Sequence, residues 1–262
     1  MSLWKRKLGG ALAATAIGAV AVGMSRSPAV LVTKGECRPV NGGDVCVWAE
    51  TTNDTLVRFG ATIPMQAIQN APSDAPMAWP PVADATIPLP DIVKTAAGFD
   101  NVTVYWEPHG HPPGPYASPH FDFHFNAISV PELAAIDCTD SSKPGNLAAR
   151  YELPDVPIPD MGTLVGLCVP GMGMHAMPSS ELHATVPFQK TMVLGYYHAR
   201  PIFLEPMITR EALLARRAFT LDVPAMRGLA ASARVPTRFR AEYDRNAQEY
   251  RFVFSDLRGE AR

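Results

Sequence analysis

The sequence lacks the motifs that announce most common chemistries. It has no P-loop, no G-x-S-x-G elbow, no H-E-x-x-H pair and no dinucleotide-binding glycine fingerprint. Those absences remove the simplest routes to phosphoryl transfer, serine hydrolysis, zincin proteolysis and nicotinamide chemistry. Gly171-Met172-Gly173 is a lone glycine pair, too little for nucleotide binding. Ser179 and Ser180 lie near His183, but three-residue proximity in a loop is no triad. Basic surplus is also missing: 23 Lys and Arg face 25 Asp and Glu, so nothing suggests a nucleic-acid surface.

Cysteine is scarce, with four residues and no C-x-x-C pair, which disfavours a thiolate metal site. Four cysteines do suit disulfides in an oxidising compartment. Cys37 and Cys46 flank Asn41-Gly42, a strong tight-turn signal, so a hairpin would set their sulfurs across from each other. Cys138–Cys168 follows by elimination.

Long apolar runs are absent except at the N-terminus. Lys5, Arg6 and Lys7 precede an apolar stretch from Leu8 to Met24, and Ala19-Val20-Ala21 offers a cleavage site. This is the layout of a secretory signal over residues 1–21, with an uncleaved N-terminal anchor as the alternative. No lipobox precedes a cysteine. Its removal takes the formal net charge from −2 to −5. The remaining residues 22–262 suit one domain that is exported, periplasmic or extracellular, and that meets a membrane only through the N-terminal segment.

Proline, by contrast, is abundant at 26 of 262 residues, about twice its usual share, which argues for short strands and ordered loops. Strand signals fall at Val45–Glu50, Thr55–Thr62, Val102–Trp106, Pro119–Ile128, Leu164–Val169, Thr191–Tyr197 and Pro201–Leu204. Arg234–Glu242 and Glu249–Phe254 read as a closing hairpin. The clearest helix is Thr209–Arg217, with Thr209 as its cap. Pro64–Asn70 is a turn or two of helix. The proline-rich stretch 71–91 reads as a packed connection, because it contains Trp79, Ile87 and Leu89. The expected fold is mainly antiparallel β, a barrel or a sandwich, with one or two short helices. Trp48, Trp106, Tyr196 and Tyr197 suit either a core or the surface of a homo-oligomer.

Four of seven histidines fall between residues 109 and 124. In a strand, His120, Asp122 and His124 share one face, while Phe121, Phe123 and Phe125 share the other, the natural core face. At full extension His120 and His124 are roughly 13 Å apart, too far to hold one ion together. Either the strand bends, with a bulge after Pro119, or each imidazole pairs with ligands from elsewhere. His120 with His111, and His124 with Asp122, are alternative subsets. His175, reached through Gly171-Met172-Gly173-Met174, and Glu205, at the end of a strand, are the further candidates.

Two or three imidazoles and a carboxylate suit a divalent transition metal: zinc first, with copper or iron as alternatives. Met172, Met174 and Met177 hint at copper, although buried methionines more commonly fill gaps in a core. His183 and His198 read as surface residues. Without a metal, His, Asp and Tyr116 would form a hydrogen-bonded network holding the 107–119 loop.

Gly110-His111-Pro112, the run Pro119–Phe125, Met172-Gly173-Met174-His175, Gly195-Tyr196-Tyr197 and Glu205-Pro206-Met207-Ile208-Thr209 together resemble a family of exported bacterial proteins of unknown function. The resemblance covers residues ~100–215 and implies a shared fold and a shared polar site at His111, His120, Asp122, His124, His175 and Glu205. It brings no reaction with it. Three functions follow from the residues. The first is an exported metal-binding protein. The second is a metal-dependent hydrolase or lyase on a small-molecule ligand, with Asp122 or Glu205 as base. The third is a structural, oligomeric β protein with a histidine network and no metal.

Overall fold

A computed structural model describes residue 1 and residues 29–76, 78–160, 162–225, 227–229 and 234–259. Residues 2–21 of the N-terminal segment read as a signal or anchor, with the Ala19–Ala21 cleavage site, lie outside the described residues.

The chain opens with a meander. β1 (Val30–Val40), β2 (Gly43–Thr52) and β3 (Thr55–Pro64) run antiparallel. Asn41 and Gly42 both take positive φ, as a two-residue hairpin turn requires, and Cys37 pairs with Cys46 in register and in a disulfide. α1 (Met65–Gln69) leads through the proline-rich connection to β4 (Ala85–Pro88), α2 (Asp91–Ala97), β5 (Asn101–Glu107) and β6 (His120–Asn126). After α3 (Val130–Ala134) come β7 (Tyr151–Glu152) and a small ribbon of β8 (Val156–Ile158) and β9 (Gly162–Leu164). β10 (Met174–Pro178), α4 (Ser179–Leu182), β11 (Lys190–Tyr197), β12 (Arg200–Thr209) and α5 (Arg210–Leu214) follow. β13 (Phe219–Asp222), β14 (Arg234–Val235), β15 (Arg238–Asp244), β16 (Glu249–Ser255) and β17 (Arg258–Gly259) close the chain.

Two antiparallel sheets carry the fold. Sheet I has the order β1-β2-β3-β16-β15-β13, and sheet II has the order β4-β5-β6-β12-β11-β10-β7. The sheets do not close into a barrel, and the architecture is sandwich-like. The mainly β expectation holds, with five α-helices of four to seven residues rather than one or two. Thr209 caps α5 as its sequence suggests, accepting from the Ala212 N–H at 3.2 Å.

Phenylalanine fills the space between the sheets. Phe123 and Phe125 of β6 meet Phe252 and Phe254 of β16 edge-on, with centroids 4.9 and 4.7 Å apart. Phe59 of β3 joins them. Each such ring, taken fully out of water, is worth roughly 1.5–3 kcal/mol. Trp48, Trp106 and Tyr196 are buried as well. Both cysteine pairs expected from sequence are bonded: Cys37–Cys46, and Cys138–Cys168, which joins the loop after α3 to the segment before β10. No helix among the described residues is long and apolar enough to cross a membrane.

Sheet II is unusual in having both faces covered. Its inner face meets sheet I. Over its outer face fold the 108–119 loop, the β8–β9 ribbon, the 165–173 segment and part of the proline-rich connection, including Trp79 and Pro81. Every residue of β5 and β6 is buried as a result. The covered outer face is the one that carries the histidines.

Candidate metal centre

β6 is a regular strand, paired without a register shift along β5. The bulge that would let His120 and His124 share an ion is therefore absent, and the strand sends the two imidazoles to different partners. His111, His120 and Asp122 form one triad, and His124, His175 and Glu205 form a second. Within each, one ligand atom per residue lies within 4.8 Å of the others, an arrangement that can hold a metal ion. All six residues singled out by sequence are in these two groups. The subset of His120 with His111 is realised, while His124 turns to Glu205 and not to Asp122.

Sheet pairing explains the second triad. β12 pairs with β6 so that Leu204 faces Phe125 and Met207 faces Asp122, a register that sets Glu205 beside His124. β10 pairs with β11 so that His175 faces Gly195. Gly195 is needed there because the Phe203 ring lies directly over it, and a Cβ would collide with that ring. Phe203 in turn stacks on His124 at 4.3 Å and borders His175 at 5.1 Å, so one aromatic orients both imidazoles. In the first triad, His111 arrives on the 108–119 loop. Gly110 at φ +63° turns that loop where any side chain would strike Tyr116 and Ala117.

The imidazoles are oriented from behind. The Nδ1–H of His120 donates to the Ser118 carbonyl at 2.6 Å, that of His111 to Pro112 at 2.8 Å and that of His175 to Leu167 at 3.0 Å. A carbonyl oxygen only accepts, so the proton is on Nδ1 and Nε2 is left as a lone pair. All four Nε2 atoms face carboxylate oxygens: His120 to Asp122 at 3.2 Å, His111 to Asp122 at 3.9 Å, His124 to Glu205 at 3.5 Å and His175 to Glu205 at 3.9 Å. Yet His120 Nε2, Asp122 Oδ1, His124 Nε2 and Glu205 Oε2 are buried without a well-directed hydrogen bond. His120 and Asp122 are close enough for one but poorly aligned. Imidazole nitrogens and carboxylate oxygens gathered this closely, four of them without a directed hydrogen bond, form a set that can act as ligands.

Electrostatics gives the same picture. Burial pushes His175 down to about 3 and His111 down to about 4, so at neutral pH both are uncharged donors. Burial pulls His120 down too, but Asp122 beside it more than compensates and its pKa is raised. Burial alone would raise Asp122, yet the imidazoles of His120, His111 and His124 hold it down at about 2. Glu205, with only imidazole neighbours to offset its burial, is pushed up to about 6. No Lys or Arg among the described residues pairs with either carboxylate.

A cavity of about 50 Å³ lies over this face, lined by His111, Asp122 and His175 from the triads, with Trp79 and Pro112 above. Much the larger cavity, about 810 Å³ between Ile128, Ile136, Tyr197 and Leu229, touches none of the six residues. Chemistry, not volume, marks the smaller one. It also exposes a residue the sequence reading missed: Glu107, buried and opposite His120 in the β5–β6 register, lines it as well. Burial and then Asp122 push Glu107 up to about 8. Met172 lines the cavity, whereas Met174 and Met177 are core residues. Tyr116 donates to Glu181, outside the triads, at 3.2 Å. His183 and His198 are exposed.

No protein-family model, no curated protein and no solved structure matches this chain.

Proposed function

We propose that the protein is an exported transition-metal-binding protein, periplasmic or extracellular, that holds transition metal through the triad His111, His120 and Asp122 and the triad His124, His175 and Glu205. Zinc is the first metal, because imidazole and carboxylate without thiolate suit it and it imposes no geometric demand of its own. Iron fits the same donors, and Met172 at the cavity wall gives copper a thioether to approach. Two disulfides fit an oxidising compartment, and the basic and apolar N-terminal pattern supports export. Of the five segments behind the family resemblance, the four around His111, His120, His175 and Glu205 supply the triads and the fifth places Gly195 opposite His175, which supports reading them as one functional unit.

One observation carries this reading. Three imidazoles have their Nδ1–H tied to backbone carbonyls and turn Nε2 toward buried carboxylates, and in His111 and His175, which burial keeps neutral, that Nε2 is a bare lone pair. A hydrogen-bonded histidine network would place a proton between each such pair. Here the converging lone pairs need a cation instead.

Elemental analysis of full-length protein purified without chelator tests it. Wild type carries stoichiometric transition metal, and His120→Ala and His124→Ala each lower that content while the far-ultraviolet circular dichroism is unchanged. A wild-type protein that is metal-free, and that takes up none of zinc, copper or iron offered at equimolar concentration, leaves the metal-free network as the better account.

A further inference from the structure

We propose that the two triads form one two-ion centre, whose ions share a single small proton-bearing ligand, such as water or hydroxide, held in the cavity beneath Trp79 and Pro112. The proposal rests on the metal-binding reading above and adds to it the number of ions and the class of the exchangeable ligand.

The triads are adjacent steps on one strand face. Asp122 belongs to the first and His124 to the second, and same-face neighbours on a strand are about 6.6 Å apart. Each triad supplies three protein donors, which leaves a four-coordinate ion one open position. The cavity touches both triads, with His111 and Asp122 from the first and His175 from the second. The open positions of the proposed centre lie there, with the side chains leaning together until the ions stand about 3.5–4 Å apart, as one shared oxygen requires. At about 50 Å³ it has room for a few non-hydrogen atoms, where the pockets that take organic ligands measure roughly 300–1,000 Å³. The centre therefore takes a small inorganic molecule and not a metabolite.

Glu107 sets which small molecule. Its residue is 7 % exposed, and its carboxyl has no hydrogen bond or ion pair among the described residues. It is not one of the residues whose ligand atoms gather within 4.8 Å, so it reaches the exchangeable ligand and not the ion. A carboxyl oxygen at that wall accepts a hydrogen bond from a ligand carrying a proton. Glu107 also lines a second pocket of about 180 Å³, together with Asp84 and Trp106.

The test uses full-length protein loaded with cobalt(II), and azide as the probe. The expected results are two cobalt ions per chain, magnetic coupling between them, and a visible-spectrum titration that ends at one azide per two ions. Glu107→Leu keeps the cobalt content and changes the visible spectrum of the azide-free centre, because the shared ligand loses a hydrogen-bond acceptor. One cobalt per chain, two azides bound independently, or an azide-free spectrum identical in wild type and Glu107→Leu overturns the proposal while leaving metal binding intact. A chain that binds no cobalt and no native metal overturns the underlying reading as well. If Glu107→Leu does not fold, the azide-to-cobalt ratio of the wild type still decides.

Discussion

The two sheets each bury carboxylate on their outer faces, and they neutralise it in opposite ways. On sheet I, Glu50 of β2 is buried between Arg58 and Arg251, both of which bond to it, and Arg251 stacks over the Trp48 ring at 3.8 Å. Guanidinium is always charged, so that carboxylate has a permanent counter-ion. On sheet II, Asp122 and Glu205 are as deeply buried, yet only imidazoles face them, and two of those imidazoles are held neutral by burial. The same chain thus uses arginine where it needs a fixed charge. Where it uses neutral histidine, a positive charge would have to come from outside, and the proposed ion would supply it.

The largest effect that separates the two faces is in the disulfides. Replacing Cys138 and Cys168 by Ser opens a 30-residue separation and costs about 3–4 kcal/mol by loop entropy. It also frees the 165–173 segment whose Leu167 carbonyl orients His175, so metal content falls in elemental analysis. The Cys37/Cys46 double serine variant costs about 2–3 kcal/mol on the same model and leaves metal content unchanged, because that bridge lies in sheet I. Next comes Arg251→Met, which leaves Glu50 with one arginine. Removing one partner of a buried pair costs about 3 kcal/mol at the low end of its range. The loss in urea unfolding is the same with and without EDTA, because no metal is involved at that face.

Much of this division was legible in the sequence. Alternation along Pro119–Ile128 separated the phenylalanine face from the histidine face, and strand rise showed that His120 and His124 could share one ion only if the strand bent or bulged. Asn41-Gly42 fixed the first hairpin and its disulfide, and Thr209 fixed the start of α5. What could not be read was the partition of six ligands into two triads. That depends on the register of β6 against β12, more than 75 residues apart in the chain, and on the path of the 108–119 loop. Glu107 was passed over for the same reason. Its signal was present in the alternation Thr103, Tyr105, Glu107 against Val102, Val104, Trp106, but only pairing with β6 sets it opposite His120. Pro64–Asn70 was read as the helical turn that became α1, whereas α2, α3 and α4 escaped because four to seven residues are too few to show a 3.6-residue period.

A carboxylate swap compares the faces directly. Glu50→Gln loses charge-assisted bonds to two arginines and destabilises by about 2–3 kcal/mol in any buffer. Glu205→Gln has the opposite sign in metal-free protein: it relieves a carboxyl that burial holds above its usual range, a gain of roughly 1–2 kcal/mol at neutral pH. The same variant forfeits the stabilisation that bound metal confers, about 2.7 kcal/mol at a hundredfold excess over Kd. Urea midpoints with EDTA and with zinc should therefore cross over for Glu205→Gln and run parallel for Glu50→Gln. Parallel lines for both would mean that the imidazole face is another fixed-charge site.

The smallest effect is in the pH dependence of the metal-free protein. His111 and His175 have folded pKa values of about 4 and about 3, below the usual 6.5. The folded state refuses protons that the unfolded chain accepts, so stability falls as pH drops from 6.5 toward those values. Glu107 works the other way. Its folded value of about 8 is raised from 4.5, so the folded state keeps a proton that the unfolded chain releases. The stability it adds is full below 4.5 and lost as pH rises toward 8. His120, whose value is also raised, loses stability in the same direction. Between pH 6.5 and 8 the metal-free protein should weaken steadily, and Glu107→Gln should flatten part of that slope, leaving the share of His120. Saturating metal reverses the trend, because ions compete with protons for the same lone pairs and win as pH rises.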